Sequence, residues 1–161
     1  MANEKTVKLK NYSDVFEEMT ATAVAITPGM LLEVATATTV QAHSTAGGSV
    51  LPMFAIENAL EGQDMDENYV ASNKIQVFIP GRGDQVYAIL ADDNSVVPGD
   101  FLESNGAGYL QKYADDSTAV DVISNRIVGV ALETLDLTGD SSAESSASPI
   151  GVNKRIKVRI I

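Results

Sequence analysis

Eight residues of this chain recur 70 positions further on. Ile26-Thr27-Pro28-Gly29-Met30-Leu31-Leu32-Glu33 returns as Val96-Val97-Pro98-Gly99-Asp100-Phe101-Leu102-Glu103, with four identities and a hydrophobic match at the first position. The register persists at Val40-Gln41 and Leu110-Gln111. With six more residues inserted, Phe54-Ala55-Ile56-Glu57 matches Val130-Ala131-Leu132-Glu133. With five more, Ile75-Gln76-Val77-Phe78-Ile79 matches Ile156-Lys157-Val158-Arg159-Ile160 in alternation. Blocks that return in one order limit a chain to architectures in which one supersecondary unit is used twice. In each copy Pro sets φ near −65° at the second position of a type II turn, and Gly accepts the positive φ of the third. Pro28, Gly29, Pro98 and Gly99 are therefore read as structural turns that each start a strand. Two Pro-Gly turns also arise independently in all-β chains, and under either origin these pairs are architectural.

The rest of the pattern is also extended. Thr6-Val7-Lys8-Leu9-Lys10 alternates apolar and polar with period two, the signature of a strand or arm with one face buried. Further β-branched or aromatic runs are Thr22–Ile26, Met30–Ala35, Thr39–Ala42, Val50–Glu57, Lys74–Pro80, Gln85–Leu90, Phe101–Glu103, Tyr109–Tyr113, Ala119–Ile123, Ile127–Thr134 and Arg155–Ile161. Many short strands broken by Gly, Pro, Asn and Asp predict an all-β, β-rich fold, a compact small barrel or β-sandwich. Asp14-Val15-Phe16-Glu17-Glu18-Met19 opens on an acid with a Glu three residues later, which predicts a short helical turn; at most one or two short helices are expected. The domain reading is residues 1–20 as an N-terminal arm with that turn, and 21–161 as one β-rich domain with duplicated halves 21–80 and 85–161. Gly139–Pro149 and Glu61–Asn73 read as loops.

Charge narrows the partners. The chain of 161 residues carries −11, which argues against binding free nucleic acid, where affinity depends on neutralising phosphates. The first ten residues hold Lys5, Lys8 and Lys10, and the last eight hold Lys154, Arg155, Lys157 and Arg159. The body between these ends is correspondingly more acidic, and basic ends on an acidic body suit docking on an acidic partner or a second copy. They equally suit the exposed face of two terminal strands. No apolar run reaches the roughly 20 residues that span a bilayer, so no membrane role and no secretory leader are expected. Cysteine is absent, which removes disulfides and thiolate chemistry.

A search for catalytic constellations returns little. The only histidine, His43, lies in the polar stretch Gln41–Gly48 beside Ser44, and neighbours on an extended chain point apart, so His43 reads as a loop residue. Gly47-Gly48-Ser49-Val50-Leu51 fails the nucleophile elbow at Leu51, and Gly81-Arg82-Gly83-Asp84-Gln85-Val86 fails the dinucleotide fingerprint at Val86. Asp64-Met65-Asp66-Glu67-Asn68 spaces oxygen ligands as a calcium loop would, yet Tyr69 stands where Gly is needed and Ile75 where the bidentate Glu belongs. Asp92-Asp93-Asn94 and Asp115-Asp116 read as turns. Arg82-Gly83-Asp84 spells an adhesion tripeptide but reads as a turn, and Asn11-Tyr12-Ser13 is a glycosylation sequon that needs secretion. No catalytic, cofactor or metal site is expected.

The runs Asp14–Glu18, Ile26–Glu33, Val40–Gly48, Leu51–Ala55, Arg82–Asp84, Gly99–Gly106, Gly108–Lys112, Ile127–Glu133 and Arg155–Ile161 together resemble the head decoration, or capsid cement, proteins of tailed bacteriophages. The resemblance covers nearly the whole chain and rests on strand and turn pattern. It implies a non-enzymatic β-rich virion protein made in the bacterial cytoplasm. Such a protein binds the outer surface of the mature head as homotrimers and braces the major capsid protein against internal DNA pressure. The family often uses an extended N-terminal arm to add a strand to the lattice or a neighbour. The segment here with suitable alternation makes Lys5, Val7, Lys8, Leu9 and Lys10 the candidate capsid or oligomer contacts. Two other readings compete: a ligand- or carbohydrate-binding β module using Tyr87, Tyr109 and Tyr113, and a carboxylate- or metal-dependent hydrolase using Asp64, Asp66, Asp92 or Asp93.

Overall fold

Alternation and turn chemistry produce thirteen short strands among the described residues, which are 6–10, 16–22, 26–114, 124–139 and 154–161 of this computed structural model. They are β1 (Lys8–Lys10), β2 (Phe16–Ala21), β3 (Leu32–Thr36), β4 (Thr39–Ala42), β5 (Phe54–Ala55), β6 (Lys74–Phe78), β7 (Gln85–Ile89), β8 (Ser95–Val96), β9 (Phe101–Ser104), β10 (Leu110–Lys112), β11 (Ile127–Ala131), β12 (Leu135–Asp136) and β13 (Arg155–Ile160). One 3-10 turn, Ser124–Arg126, precedes β11. The fold is all-β, as the pattern predicts. Its sheets run β3-β4-β2-β6-β5, β1-β7-β13-β11-β9-β10 and β12-β8. Neither large sheet is a continuously hydrogen-bonded barrel. Isolated bridges, Leu31 to Phe54 and Leu90 to Leu110, link strands that the ladders leave apart.

The two halves repeat several main-chain pairings. β2 pairs antiparallel with β6, Glu18 opposite Gln76 and Met19 opposite Ile75; β7 pairs the same way with β13, Tyr87 opposite Lys157 and Ala88 opposite Ile156. In both halves the Gly of the Pro-Gly turn donates its N–H to an alanine carbonyl, Gly29 to Ala55 at 2.8 Å and Gly99 to Ala131 at 3.0 Å. The turns close alike, Met30 N–H onto Thr27 O and Asp100 N–H onto Val97 O, both at 3.1 Å. Gly29 and Gly99 hold φ of +94° and +99°, where a side chain is disfavoured. The parallel contact recurs too: Thr22 N–H reaches Val40 O, and Ala91 N–H reaches Leu110 O. Even the two-residue ladder β8·β12, which no sequence signal announces, has its counterpart in the bridge from Ile26 to Tyr69.

Each half has its own core, and the cores interlock. Met19, Ile26, Leu32, Val40, Ile75 and Val77 form the first with Ile89, Ala91 and Tyr109 from the second half. The second gathers Val86, Leu102, Leu110, Val128, Ile156 and Val158 around Leu31, Phe54 and Phe78 from the first half. Such exchange of buried side chains makes the halves one cooperative body.

Two expectations change. Phe16–Ala21, placed partly in an arm and a helical turn, is the central strand β2, because a five-residue ladder with β6 outweighs one capping pattern. Asp14 and Val15 lie outside the described residues. The run Val50–Glu57 shortens to β5, since Pro52 has no N–H to donate and Leu51 is exposed. The strand at Ala119–Ile123 and residues 140–149 of the polar loop fall outside the described residues. No helix among the described residues is long and apolar enough to cross a membrane.

Candidate functional site

The amino-terminal strand forms the junction between the halves. Alternation puts Val7 inward, where it is fully buried in the second core, while Leu9 packs against the same cluster half-buried. β1 runs antiparallel to β7, Lys8 opposite Val86 and Lys10 opposite Gln85, with an irregular register between them. Tyr87 donates its N–H to the Val7 carbonyl at 2.6 Å. From the first half, Glu57 holds the segment at its other side: Val7 donates its N–H to Glu57 Oε2 at 3.2 Å, and Thr6 Oγ1 donates to Glu57 Oε1. Of the candidate contacts, Val7, Lys8, Leu9 and Lys10 thus belong to the edge of the protein's own sheet, and Lys5 lies outside the described residues. Glu57 was not anticipated as an anchor, although its recurrence at Glu133 was a visible signal. Glu133 Oε1 likewise accepts a main-chain bond, from Lys157 N–H at 3.0 Å.

Basic residues near the carboxyl end point inward as well as outward. Arg155 is buried, and its guanidinium donates to the Met65 carbonyl at 2.6 Å, the Pro28 carbonyl at 3.0 Å and Asp66 Oδ1 at 3.1 Å. Burial pushes its pKa down, opposed by Asp66. Lys154 donates to Asp92 Oδ1 at 2.7 Å. The structural turns therefore differ in surroundings. Pro28 and Gly29 are buried against β7 and Arg155, whereas Pro98 and Gly99 are exposed, flanked by Val97 at 50% and Phe101 at 46% exposure.

His43 is buried just past β4, not in an open loop, because Ser104 of β9 reaches its Nδ1 at 2.8 Å and the Ser49 carbonyl its Nε2 at 3.2 Å. Glu33 Oε2 lies 3.8 Å from Nε2. Burial alone would raise the Glu33 carboxyl, but hydrogen bonds from Ser44 and Gln41 and the nearby His43 bring it below its ordinary value. This Ser-His-Glu row joins residues far apart in sequence, which is why only Ser44 was weighed beside His43. Ser104 is fully buried and its hydroxyl bonds across to His43 of the other half.

The four candidate carboxylates are each engaged. Asp66 meets Arg155, Asp92 meets Lys154, Asp64 caps the Met65 N–H, and Asp93 accepts from Gly139 N–H at 3.1 Å. No three metal-capable side chains gather among the described residues. In the Arg82-Gly83-Asp84 turn, Asp84 is fully buried and accepts the Gly81 N–H at 2.7 Å. Tyr87 and Tyr109 are buried, and Tyr113 lies under the Arg126 guanidinium, 5.8 Å from ring centroid to Cζ. A cleft of about 360 Å³ lies between Asn58, Glu61, Asn68, Tyr69, Ser72 and Lys74. Burial raises the Tyr69 phenol to about 12, and it donates to the Ile56 carbonyl at 2.8 Å.

No protein-family model and no curated protein sequence matches the chain. Among solved structures, the fold is similar to that of the head fiber gp8.5 N base of bacteriophage phi29, with a TM-score of 0.51 at 13% identity. The match covers 92% of this chain and 95% of the other.

Proposed function

We propose that this chain is a structural component of a tailed-bacteriophage head. In this reading it is a decoration protein on the outer surface of the mature shell, made in the bacterial cytoplasm, that braces the major capsid protein against internal DNA pressure. The observation that carries the reading is a shared fold over nearly the full length of both chains with a phage head fiber base. The surface supports it. Asp64, Asp66, Asp92 and Asp93 are engaged in turns and ion pairs, and the interlocked halves give a stiff body suited to passive bracing. The net charge of −11 favours solubility at high copy number. No reaction is required of such a protein, and none is proposed. Symmetric display of many copies, as homotrimers, would multiply modest individual contacts.

The test adds purified protein to mature heads stripped of this component and measures saturable co-sedimentation. Saturation at a fixed multiple of the capsid subunits supports decoration. Heads that bind none, under conditions where the protein is folded, overturn it. Sedimentation equilibrium of the free protein tests the trimer.

A further inference from the structure

We propose that the outer edge of β2, at Glu17 and Glu18, receives an extended apolar-and-basic strand from a capsid subunit, completing in the first half the position that β1 fills in the second. The inference rests on head association and names the surface that performs it. The internal repeat carries the argument. On the side away from β13, β7 is covered twice: β1 lies along its first residues, and Leu110 of β10 bridges Leu90 just past its end. β2 is the counterpart of β7, and on the side away from β6 its end is likewise covered, by β4 at Thr20 and Ala21. Beside Glu17 and Glu18, nothing among the described residues pairs with it.

The donor without a partner among the described residues can be identified. Thr20 and Thr22 send their N–H groups toward β4, to Thr38 O and Val40 O at 3.0 Å each. N–H groups on a strand alternate sides, so that of Glu18 also points away from β6. Its counterpart, Tyr87 N–H, is the group that binds the Val7 carbonyl at 2.6 Å. An incoming antiparallel strand would place a carbonyl on Glu18 N–H and a residue opposite Glu17, as Lys8 stands opposite Val86.

Charge and stoichiometry select the occupant. The two positions that are buried Val86 and Tyr87 in the second half are exposed Glu17 and Glu18 in the first; Glu18 already meets Lys74 of β6 at 3.7 Å, so among the described residues Glu17 is the carboxylate that faces an incoming strand. Two β2 edges meeting each other would set like charges side by side, which opposes pairing. A strand that alternates as Thr6–Lys10 does and sets a basic residue opposite Glu17 is favoured instead. Among the described residues a second copy has none to spare, since its Thr6–Lys10 segment is committed to its own β7 and to Glu57. The strand therefore comes from the partner, with main-chain bonds supplying affinity and alternate side chains specificity.

Hydrogen exchange of the full chain, free and on stripped heads, reads the edge directly. The expected result is slowing of about tenfold or more at Glu18 on heads, without change in the free protein as its concentration rises. Glu17→Lys with Glu18→Gln is expected to weaken head binding about tenfold at low salt, through lost and reversed cross-strand pairs. Glu18→Pro, which removes the outward donor together with the carboxylate that meets Lys74, is expected to weaken binding in high salt as well, read at an unfolding midpoint matched to Glu18→Gln. Undiminished binding by both folded variants, or binding that leaves exchange at Glu18 unchanged, overturns the edge proposal while head association stands. Slowing that grows with concentration in free protein assigns the edge to a second copy and also overturns it. Absence of head binding by the unaltered chain removes the premise and the proposal together.

Discussion

Gly29 and Gly99 form a matched pair in which one variable differs. Both sit third in a Pro-Gly turn, at φ +94° and +99°, and both donate to the equivalent alanine carbonyl. A Cβ added at Gly99 meets nothing within 4 Å. At Gly29 it would lie 3.1 Å from the Tyr87 carbonyl oxygen, 3.3 Å from Ile89 Cγ1 and 3.4 Å from Arg155 Nε. Gly99→Ala is therefore charged with backbone strain alone, about 1–2 kcal/mol. Gly29→Ala carries the same strain and in addition forces apart β7 and a buried guanidinium, for which overpacking costs about 1–3 kcal/mol more. The sum for Gly29→Ala is about 2–5 kcal/mol, a large part of a domain's stability. Urea unfolding of both variants, followed by circular dichroism, measures the difference at unchanged slope. Equal destabilisation by the two substitutions would refute the claim that the first turn is a packing contact between halves, and would leave both glycines as turn formers only.

Other outcomes follow from the same structure. Arg155→Met is expected to lower stability by about 2–4 kcal/mol, because the Pro28 and Met65 carbonyls lose their buried donor; chemical denaturation of the variant checks this. Val7→Ala removes two buried carbons and should cost about 1.5–3 kcal/mol, so removal of residues 1–10 should lower the unfolding midpoint; an unchanged midpoint would contradict the burial of Val7. Burial raises the Tyr69 phenol from its ordinary 10.0 to about 12, so the folded state holds its proton more tightly. That contribution is complete below pH 10 and is lost as pH rises toward 12; Tyr69→Phe should flatten this part of an alkaline stability profile. Asp100 has the opposite sign, its carboxyl lowered by the Lys112 hydrogen bond and the Val97 N–H. Its contribution is present at neutral pH and disappears in acid, and Asp100→Asn should remove that acid-side slope in a pH-dependent urea series.

Much of the fold was legible because its signals are local. Pro-Gly chemistry, period-two alternation and recurrence placed β3, β4, β6, β7, β9, β10, β11 and β13 close to where they lie, since a strand's face pattern depends on neighbours two residues away. β2 reads differently in sequence because Asp14–Met19 carries an acidic start that local rules assign to a helix, and only the ladder with β6 decides otherwise. The two-residue strands β8 and β12 carry too few residues to make a pattern, and they exist because their partner is already in place.

The sequence by itself determined that two similar β units follow one another, each started by a Pro-Gly turn, on an acidic body with basic ends. Tertiary structure alone decided what those features face. One turn is sealed under Arg155 and its copy is exposed; Val7 enters a core; His43 meets Ser104 across 61 residues of chain. The physical reason is that turn and strand preferences arise within a few bonds, whereas burial and hydrogen-bond pairing depend on which remote segment arrives, and duplication supplies two nearly equal sites that only packing tells apart.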